Sequence, residues 1–128
     1  MEVIFSNETC AAYFTDANLM KRKLDAKITK AIYKRFFELQ AFESSSDLIV
    51  SGLDHPHYLT GNYKGLLARS VDKKYRLILS FSNIEKGETK QVATIKGVVD
   101  YHGAKDKLII AWFNFSSIWY CFWANDKT

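Results

Sequence analysis

The sequence predicts a compact α+β domain, with helices packed on one face of a curved, mainly antiparallel sheet. Apolar residues recur at helical spacing between residues 19 and 43, and from Gly65 onward they alternate with the two-residue period of β-strands. A helical part followed by consecutive strands is typical of this class. Hydrophobic residues make up 48% of the 128-residue chain, which is enough to build the core of one domain.

The helical part of the chain begins behind a short strand. Residues 2–5, EVIF, form this opening strand, and Asn7 or Thr9 is expected to cap a brief helix after it. Residues 19–43 contain neither Gly nor Pro, and they include apolar residues three or four positions apart at Leu24, Ile28, Ile32, Phe36 and Leu39. This spacing predicts one long amphipathic helix.

A basic stripe on the same predicted helix allows two interpretations. The stripe consists of Lys23, Lys27, Lys30 and Lys34. It is either an ordinary solvated helix surface or a contact for an anionic partner. The formal net charge of +4 favours an anionic partner such as nucleic acid, although a modest excess of lysine is also common on soluble proteins.

A short helix, a turn-rich loop and three strands complete the predicted domain. Ser45 or Ser46 is expected to cap the helix, and Gly52 is expected to end it. Residues 53–65 are predicted to form a loop, because they contain the only proline and two glycines. The predicted strands are residues 66–71, 75–81 and 91–101, with turns at 72–74 and 82–89.

The register of the first hairpin decides where two arginines point. With a two-residue turn at 73–74, Arg69 would be opposite Ile78, and Arg69 and Arg76 would project from one face. A turn one residue different places them on opposite faces. The residues that share the predicted core face of the second strand are Tyr75, Leu77, Leu79 and Phe81. Arg76 is therefore assigned to the other, wetter face.

Neither secretion nor a membrane span is predicted. The first ten residues, MEVIFSNETC, lack a basic segment and a long apolar run, so the cytoplasm is the expected compartment. Cys10 and Cys121 stand far apart and outside any metal-binding spacing, which leaves a disulfide between them open. Residues 108–123 are strongly apolar but include an asparagine and two serines. Because a spanning helix needs about 20 apolar residues, we expect strands or a docking surface there.

The polar residues at strand ends and in loops suit chemistry on RNA. His55, His57 and His102 lack the carboxylates of zinc-binding helices, and no phosphate-binding loop of the Walker type occurs, so neither a metal nor a cofactor is predicted. A metal-free set of Arg, Lys, Tyr and His suits cleavage of an RNA phosphodiester, since the substrate's own 2′-OH attacks. In the alternative interpretation, Tyr101 packs at the sheet edge, His102 ends the strand and the arginines are surface residues.

The order of three motifs resembles the RelE/ParE superfamily of bacterial toxins, and most closely its HigB-like branch, the plasmid-maintenance killer proteins. Members of that branch carry an H-x-L-K-G-x-x-x-G loop, an aromatic-Arg-hydrophobic strand and a last strand that closes on D-Y-H. The matching segments here are His57-Tyr58-Leu59-Thr60-Gly61 with Gly65, Tyr75-Arg76-Leu77, and Asp100-Tyr101-His102. The resemblance spans roughly residues 1–103, which we take as the toxin domain.

This resemblance implies a toxin that enters the ribosomal A site, cleaves mRNA there without a metal, and is held inactive by a cognate antitoxin protein. It places His57, Arg76, Tyr101 and His102 on the family's functional positions, and these are the predicted catalytic residues. The predicted substrate-binding residues are Lys64, Arg69, Lys73, Lys74 and Asp100. Two alternatives share the fold: a ParE-like toxin that inhibits gyrase, and a catalytically degenerate protein that only binds RNA or a partner.

The chain departs from the family pattern in two places. Thr60 occupies the position of the family's loop lysine, and Lys64 is a candidate substitute. Loss of such a preorganised charge costs roughly 3 kcal/mol of barrier, about a hundredfold in rate. In addition, residues 104–128 form an apolar extension beyond the D-Y-H motif. We expect it to pack on the same domain, where it would add strands, bind antitoxin or form a dimer contact.

Overall fold

The computed structural model describes residues 1–84 and 90–100, together with the backbone of residues 107–110. The helices in these residues are α1 (Glu8–Thr15), α2 (Ala17–Lys23), α3 (Ala26–Ala41) and α4 (Ser45–Ser51). The strands are β1 (Glu2–Phe5), β2 (His57–Tyr58), β3 (Leu66–Ser70), β4 (Tyr75–Asn83), β5 (Gln91–Asp100) and β6 (Lys107–Ile110). A 3₁₀ turn spans Gly61–Tyr63. The architecture is the predicted α+β fold.

The strands of the described residues form one sheet in the order β1-β5-β4-β3-β2, and β6 also pairs with β5. β3, β4 and β5 are the predicted antiparallel meander. β1 runs parallel to β5 along residues 92–95, whereas the backbone of β6 pairs antiparallel with residues 98–100. Two short strands therefore share one edge of β5. The loop predicted over 53–65 is interrupted by β2, which pairs with β3.

The single long helix predicted over 19–43 is wrong, because the chain breaks between α2 and α3. Leu24 has an extended backbone and turns its side chain into the core, where it is buried. The Asp25 carboxylate accepts a hydrogen bond from the Ile28 N–H at 2.8 Å and so caps a new helix. Two local effects, a buried leucine and an aspartate N-cap, outweigh the continuous apolar periodicity.

The helix caps agree with the sequence at two of three predicted positions. Asn7 caps α1 by accepting from the Cys10 N–H at 2.8 Å. Gly52 ends α4 with a left-handed φ of 66°, a conformation that costs glycine little. The cap of α4, however, is Ser44 rather than Ser45 or Ser46, because the Ser44 hydroxyl accepts from the N–H three residues later.

The β3–β4 hairpin has the second of the two registers considered. Arg69 is opposite Leu77, and Ser70 is opposite Arg76. The two arginines therefore project from opposite faces of the sheet. The turn holds this register because the Asp72 carboxylate accepts from the backbone N–H groups of residues 74 and 75, at 2.8 and 2.7 Å.

The main core lies between the helices and one face of the sheet. Phe5 of β1 stacks against Phe14 of α1 and packs against Phe36 of α3, with ring centroids 5.3 and 5.7 Å apart. The sheet contributes fully buried side chains to the same layer, among them Leu67, Leu77, Leu79, Ile95 and Val98. The predicted core face of β4 is confirmed for its two central leucines.

Several predictions fall on residues outside the described part of the chain. They concern the turn at 82–89 from residue 85 onward, the last residue of the third predicted strand, Cys121, and the side chains of the extension. In the described residues, no helix has both the length and the apolar character needed to cross a bilayer. Cys10 is a buried, free thiol.

Candidate functional site

The β3–β4 turn and the end of β5 meet at one end of the sheet. In the register of β4 and β5, Tyr75 is opposite Asp100, and Arg76 follows in the next position. The first residue of the D-Y-H motif therefore lies beside the aromatic-Arg motif, although 24 residues separate Arg76 from Asp100 in the sequence. The other two motif residues, Tyr101 and His102, lie outside the described residues.

Arg76 and His57 lie on the same face of the sheet, the one turned away from the helices. Arg76 and Ile78 project from one side of β4, since they are two residues apart. Ile78 pairs with Ala68, which in turn pairs with His57, and cross-strand partners share a face. From strand spacings of about 4.8 Å and a rise of about 3.3 Å per residue, their Cα atoms are about 12 Å apart. The two side chains can flank one substrate without touching each other.

The Arg76 guanidinium is held against the hairpin turn. Its Nη1 donates to the carbonyl oxygens of Asp72 at 2.7 Å and Tyr75 at 3.0 Å. The side chain is half-buried. A planar guanidinium whose orientation is set by backbone carbonyls is well suited to a phosphate, because less rotamer entropy is lost on binding.

His57 is exposed on the edge strand β2. Its Nδ1 lies 3.0 Å from the carbonyl oxygen of His55, which can only accept a hydrogen bond. This contact places the proton of a neutral ring on Nδ1 and leaves Nε2 as the nitrogen that can take up another proton. The imidazole is therefore oriented as a base that faces solvent.

A cavity of about 440 Å³ lies at the same end of the sheet, between α3, the β3–β4 turn and the segment after α4. Its lining consists of Arg35, Asp54, His55, Ser70, Val71, Asp72, Lys73 and Arg76. Three cations and two carboxylates line it, so its net charge is positive and it favours an anionic ligand. His55 and Arg35 belong to this cavity, and neither was among the predicted site residues.

A network of ion pairs, which we call the Asp54 clamp, joins α3 to the site. It consists of Arg35, Glu38, Asp54 and Arg69. The two oxygens of Asp54 contact Arg35 Nη2 at 2.9 Å and Arg69 Nη2 at 3.2 Å, and Arg69 Nη2 also donates to Glu38 Oε1 at 2.9 Å. Arg35 Nε further donates to the Ser70 carbonyl at 2.8 Å. The clamp therefore links the helix layer, the segment after α4 and β3.

The clamp holds a strained stretch of backbone. Asp54 and His55 have φ values of 63° and 52°, so two consecutive residues other than glycine are left-handed. Such residues cost of order 1–3 kcal/mol each and persist where surrounding contacts enforce them. Here the Ser70 N–H donates to the Asp54 carbonyl at 2.9 Å, in addition to the two arginines. This stretch leads directly into β2, so the clamp sets the position of His57.

The predicted role of Arg69 in substrate binding does not fit its surroundings. Arg69 is 0% exposed, lies on the helix side of the sheet and is engaged by Glu38 and Asp54. Burial lowers the pKa of Arg69, and the two carboxylates oppose that shift. A substrate cannot reach this guanidinium, whose role is structural. Arg69 lies on the helix side because the hairpin register differs by one residue from the register that would place both arginines on one face.

No protein-family model and no curated protein matches the sequence. Among solved structures, the YoeB/ParE toxin from Agrobacterium tumefaciens is similar, with a TM-score of 0.50 at 15% sequence identity, over 74% of this chain and 92% of that toxin. The chain has the RelE/ParE toxin fold. The YoeB–YefM complex from Staphylococcus aureus is also similar, with a TM-score of 0.46 at 14% identity, over 80% of this chain and 98% of the matched one. The fold predicted from the motifs is confirmed, and the HigB-like branch stays a prediction.

Within the RelE/ParE fold, the predicted lysines of the turn lie at the Asp100 end of the sheet. Lys73 and Lys74 are both exposed, and Lys74 Nζ lies 3.7 Å from Asp100 Oδ2 and 5.3 Å from the centre of the Tyr75 ring. Electrostatic attraction to Tyr75 and to Asp100 raises the pKa of Lys74. Asp100 itself is only 9% exposed. It is thus placed to orient Lys74, and its role in substrate binding stays a prediction.

Thr60 and Lys64 lie in the loop between β2 and β3. The Leu59 N–H donates to the Leu66 carbonyl at 2.8 Å, which closes this loop at its base. Thr60 precedes the 3₁₀ turn and makes no side-chain cap to it, and Lys64 follows the turn. Both side chains are exposed on the sheet edge that carries His57. Substitution of Lys64 for the family's loop lysine stays a prediction.

Residues that hold the site together escaped sequence analysis. Asp54, Arg35 and Glu38 follow no motif, and only the three-residue spacing of Arg35 and Glu38 on one helix hints at a charged cluster. Across the described side chains, no three His, Cys, Asp or Glu residues converge in a way that could hold a metal ion.

Proposed function

We propose that the protein is the toxin of a toxin–antitoxin system and that it cleaves mRNA on the ribosome without a metal. The observation that carries this proposal is the common face of His57 and Arg76, with the D-Y-H motif beginning beside Arg76. The RelE/ParE fold supports the toxin class. A titratable imidazole and an oriented guanidinium on one face are what an acid–base ribonuclease needs, whereas an inhibitor of gyrase needs neither.

The proposed reaction requires no atom beyond those of the RNA and the protein. A base removes the proton of a 2′-OH, the 2′-oxygen bonds to the adjacent phosphorus, and the bond from phosphorus to the 5′-oxygen breaks. An acid returns a proton to that 5′-oxygen, which leaves a cyclic phosphate and a 5′-OH end. His57 and His102 are the proposed proton-transfer pair, and Arg76 neutralises the charge that develops on the phosphate oxygens. Tyr101 is proposed to stack on a base or contact the phosphate.

Three further assignments belong to this proposal. The cytoplasm is the expected location, because the ribosome and its mRNA are the targets. A cognate antitoxin is the expected protein partner, and the HigB-like branch is the expected subgroup. Lys64, Lys73 and Lys74 are proposed to bind the RNA backbone, since all three are exposed near the proposed catalytic residues.

The test is induction of the protein in bacteria, followed by growth measurement and mapping of mRNA 5′ ends. We expect growth arrest with new 5′ ends for the unaltered chain. Arg76→Ala and His57→Asn should restore growth and reduce cleavage about 10²–10³-fold, as for loss of an oriented charge or a general base. Lys90→Gln, an exposed position at the other end of the sheet, is the matched control and should stay toxic.

The possible outcomes separate the candidate functions. Growth arrest with intact mRNA and broken DNA would favour the gyrase-inhibiting alternative and overturn the ribonuclease proposal. RNA binding without cleavage would favour a degenerate member of the fold. Full toxicity of both variants, at protein levels equal to the unaltered chain, would show that His57 and Arg76 are not the catalytic groups.

A further inference from the structure

The cavity at the β3–β4 turn shares one residue with the proposed catalytic face. That residue is Arg76, which lines the cavity and lies on the same face of the sheet as His57. The cavity volume of about 440 Å³ is within the range of ligand pockets, about 300–1,000 Å³. None of the other described residues that line it takes part in the proposed proton transfer. The cavity is therefore a second candidate binding site, which adjoins the first at Arg76.

The two carboxylates of the lining are both engaged by donors of the fold. Asp54 contacts Arg35 through one oxygen and Arg69 through the other, at 2.9 and 3.2 Å. Asp72 Oδ1 accepts from two backbone N–H groups of the turn, at 2.8 and 2.7 Å. These contacts reduce the repulsion that the two carboxylates would exert on an anion in the cavity.

The cations of the lining retain donors for a ligand. Lys73 is exposed in the turn, and none of the ion pairs among the described residues includes its ammonium group. Arg35 uses three of its five N–H groups, toward the carbonyls of Ala31 and Ser70 and the carboxylate of Asp54. The Arg35 guanidinium is thus fixed in place while two of its N–H groups are left over. A cation that is fixed before binding loses little rotamer entropy when a ligand binds.

Two uncharged side chains add donors beside these cations. Ser70 is opposite Arg76 in the hairpin, so its half-buried hydroxyl lies on the same face as that guanidinium. His55 lines the cavity from the left-handed backbone that the Asp54 clamp supports, and its carbonyl oxygen lies 3.0 Å from His57 Nδ1. Cations accompanied by hydroxyl and imidazole donors match the several acceptor oxygens of a phosphate group.

We propose that this cavity binds the phosphate next to the scissile phosphate of the RNA, with Lys73, Arg35 and Arg76 as its cations. The assignment rests on the proposed ribonuclease function, in which Arg76 neutralises the scissile phosphate. Consecutive phosphates of a strand are one nucleotide apart, so a strand that crosses the sheet face at Arg76 brings its next phosphate to the cavity. The cavity then sets the register of the strand relative to His57 without reading base sequence, because it contacts the backbone alone.

Nuclear magnetic resonance titration of the full ¹⁵N-labelled chain tests this assignment, because it both measures weak binding and locates it. The probes are a 2′-O-methyl dinucleotide with a single internal phosphate, and the same dinucleotide with an additional phosphate at its 5′ or its 3′ end. The 2′-O-methyl groups prevent cleavage. We expect the additional phosphate, at one of the two ends, to tighten binding about tenfold and to shift the amide signals of Ser70, Val71 and Lys73.

Three variants locate the source of this gain in affinity. Lys73→Gln removes an exposed cation of the lining and should abolish most of the gain. His55→Asn keeps a residue that tolerates the left-handed conformation, and it should reduce the gain as well. Lys74→Gln is the matched comparison, because its ammonium belongs to the same turn but lies beside Asp100 and outside the lining. It should weaken the binding of both dinucleotides alike and keep the ratio of their affinities.

Several outcomes would overturn the proposal. They are an additional phosphate that gives no gain at either end, signal shifts away from the cavity, and an equal loss of the gain in Lys73→Gln and Lys74→Gln. The last result would show a general attraction between charges. Inorganic phosphate is the third probe. If it shifts the signals of the cavity while the terminal phosphates give no gain, the cavity binds a free anion rather than RNA.

Mapping of mRNA 5′ ends keeps this proposal separate from the proposed function. If the unaltered chain cleaves mRNA but shows no gain from the additional phosphate, the cavity assignment alone fails. If the unaltered chain cleaves no mRNA, the ribonuclease function fails, whereas a gain that Lys73→Gln removes still establishes a phosphate site in the cavity.

Discussion

Arg69 and Arg76 belong to one hairpin yet have opposite surroundings. Arg69 is enclosed by Glu38 and Asp54 beneath α3, and its Nε is a buried donor without a hydrogen-bond partner in the described residues. Arg76 is half-buried at the rim, with Nη1 directed at two backbone carbonyls. The face on which each residue emerges, rather than its type, decides whether the arginine is enclosed beneath α3 or held at the rim of the sheet.

Cys10 provides a pH-dependent prediction at the same scale. Its Sγ lies 3.6 Å from the Ile95 carbonyl, and burial raises the pKa of the thiol from 9.0 to about 12. The folded state therefore holds this proton more tightly than the unfolded state does. The resulting stability is present below about pH 9 and is lost as the pH rises toward 12, by at most about 1.4 kcal/mol per pH unit.

Urea unfolding at increasing pH checks this expectation. The unaltered chain should lose stability above pH 9 more steeply than Cys10→Ala, although Cys10→Ala is less stable at neutral pH because it leaves a small cavity. Equal slopes for the two proteins would show that the thiol ionises as readily in the folded state as in the unfolded one.

At the scale of elements, the segment between α4 and β2 supports the edge strand that carries His57. It contains three left-handed residues, Gly52, Asp54 and His55, within four positions. Its conformation is compatible with the sequence only because the Asp54 clamp and the Ser70 N–H hold it. The segment stores strain and transmits the position of α3 to the edge strand that carries His57.

Substitutions in the segment between α4 and β2 should distinguish the cost of its left-handed backbone from the stabilisation that the Asp54 clamp provides. Asp54→Asn keeps a residue that tolerates the left-handed conformation but removes the charge shared by two arginines, so we expect about 1–3 kcal/mol of destabilisation by urea unfolding. His55→Gly removes strain and should be neutral or stabilising. Asp47→Asn, an exposed carboxylate in the first turn of α4, is the control and should change little. If Asp47→Asn lowered the free energy of unfolding as much as Asp54→Asn does, the Asp54 clamp would contribute no stability of its own.

At the scale of the whole molecule, the described residues include two candidate surfaces for RNA, which lie on opposite sides of the fold. The proposed catalytic face is on the sheet, and the predicted basic stripe is on the helices, where Lys27, Lys30 and Lys34 are exposed on α3. A groove of about 530 Å³ between α2 and α3 is lined by Lys21, Lys30, Lys34, Tyr33 and Phe37, among others. The Tyr33 hydroxyl donates to the Tyr13 carbonyl at 2.6 Å, which fixes one wall. The break after Lys23 leaves the stripe largely intact, because Lys27, Lys30 and Lys34 all belong to α3.

Salt dependence tests whether this second surface contributes to RNA binding. If the lysines neutralise phosphates, Lys30→Gln with Lys34→Gln should weaken RNA binding and reduce the slope of log affinity against log salt by about 1 per lysine. Fluorescence anisotropy with a labelled RNA gives both quantities. Lys90→Gln serves as the single-charge comparison at a distant position. Unchanged slopes in the double variant would assign the stripe to an ordinary solvated surface.

The fold was largely predictable because its elements depend on local information. Alternation and turn residues mark β3, β4 and β5, and Asn7 and Gly52 mark helix ends. The errors arose where two local signals competed. Asp25 is a cap within a continuous apolar pattern, and Ser44 is one of three adjacent serines that can each cap α4. Periodicity alone cannot rank such alternatives.

The sequence by itself determined the class of fold, the order of motifs and the identity of the groups available for chemistry. Tertiary structure decided which of those groups share a face. The hairpin register separates Arg69 from Arg76, and the clamp joins Arg35 to Asp54 and Arg69 to Glu38 over 19 and 31 residues of chain. The physical reason is that motif order follows the chain, whereas burial and charge pairing depend on distances that only the packed sheet and helices set.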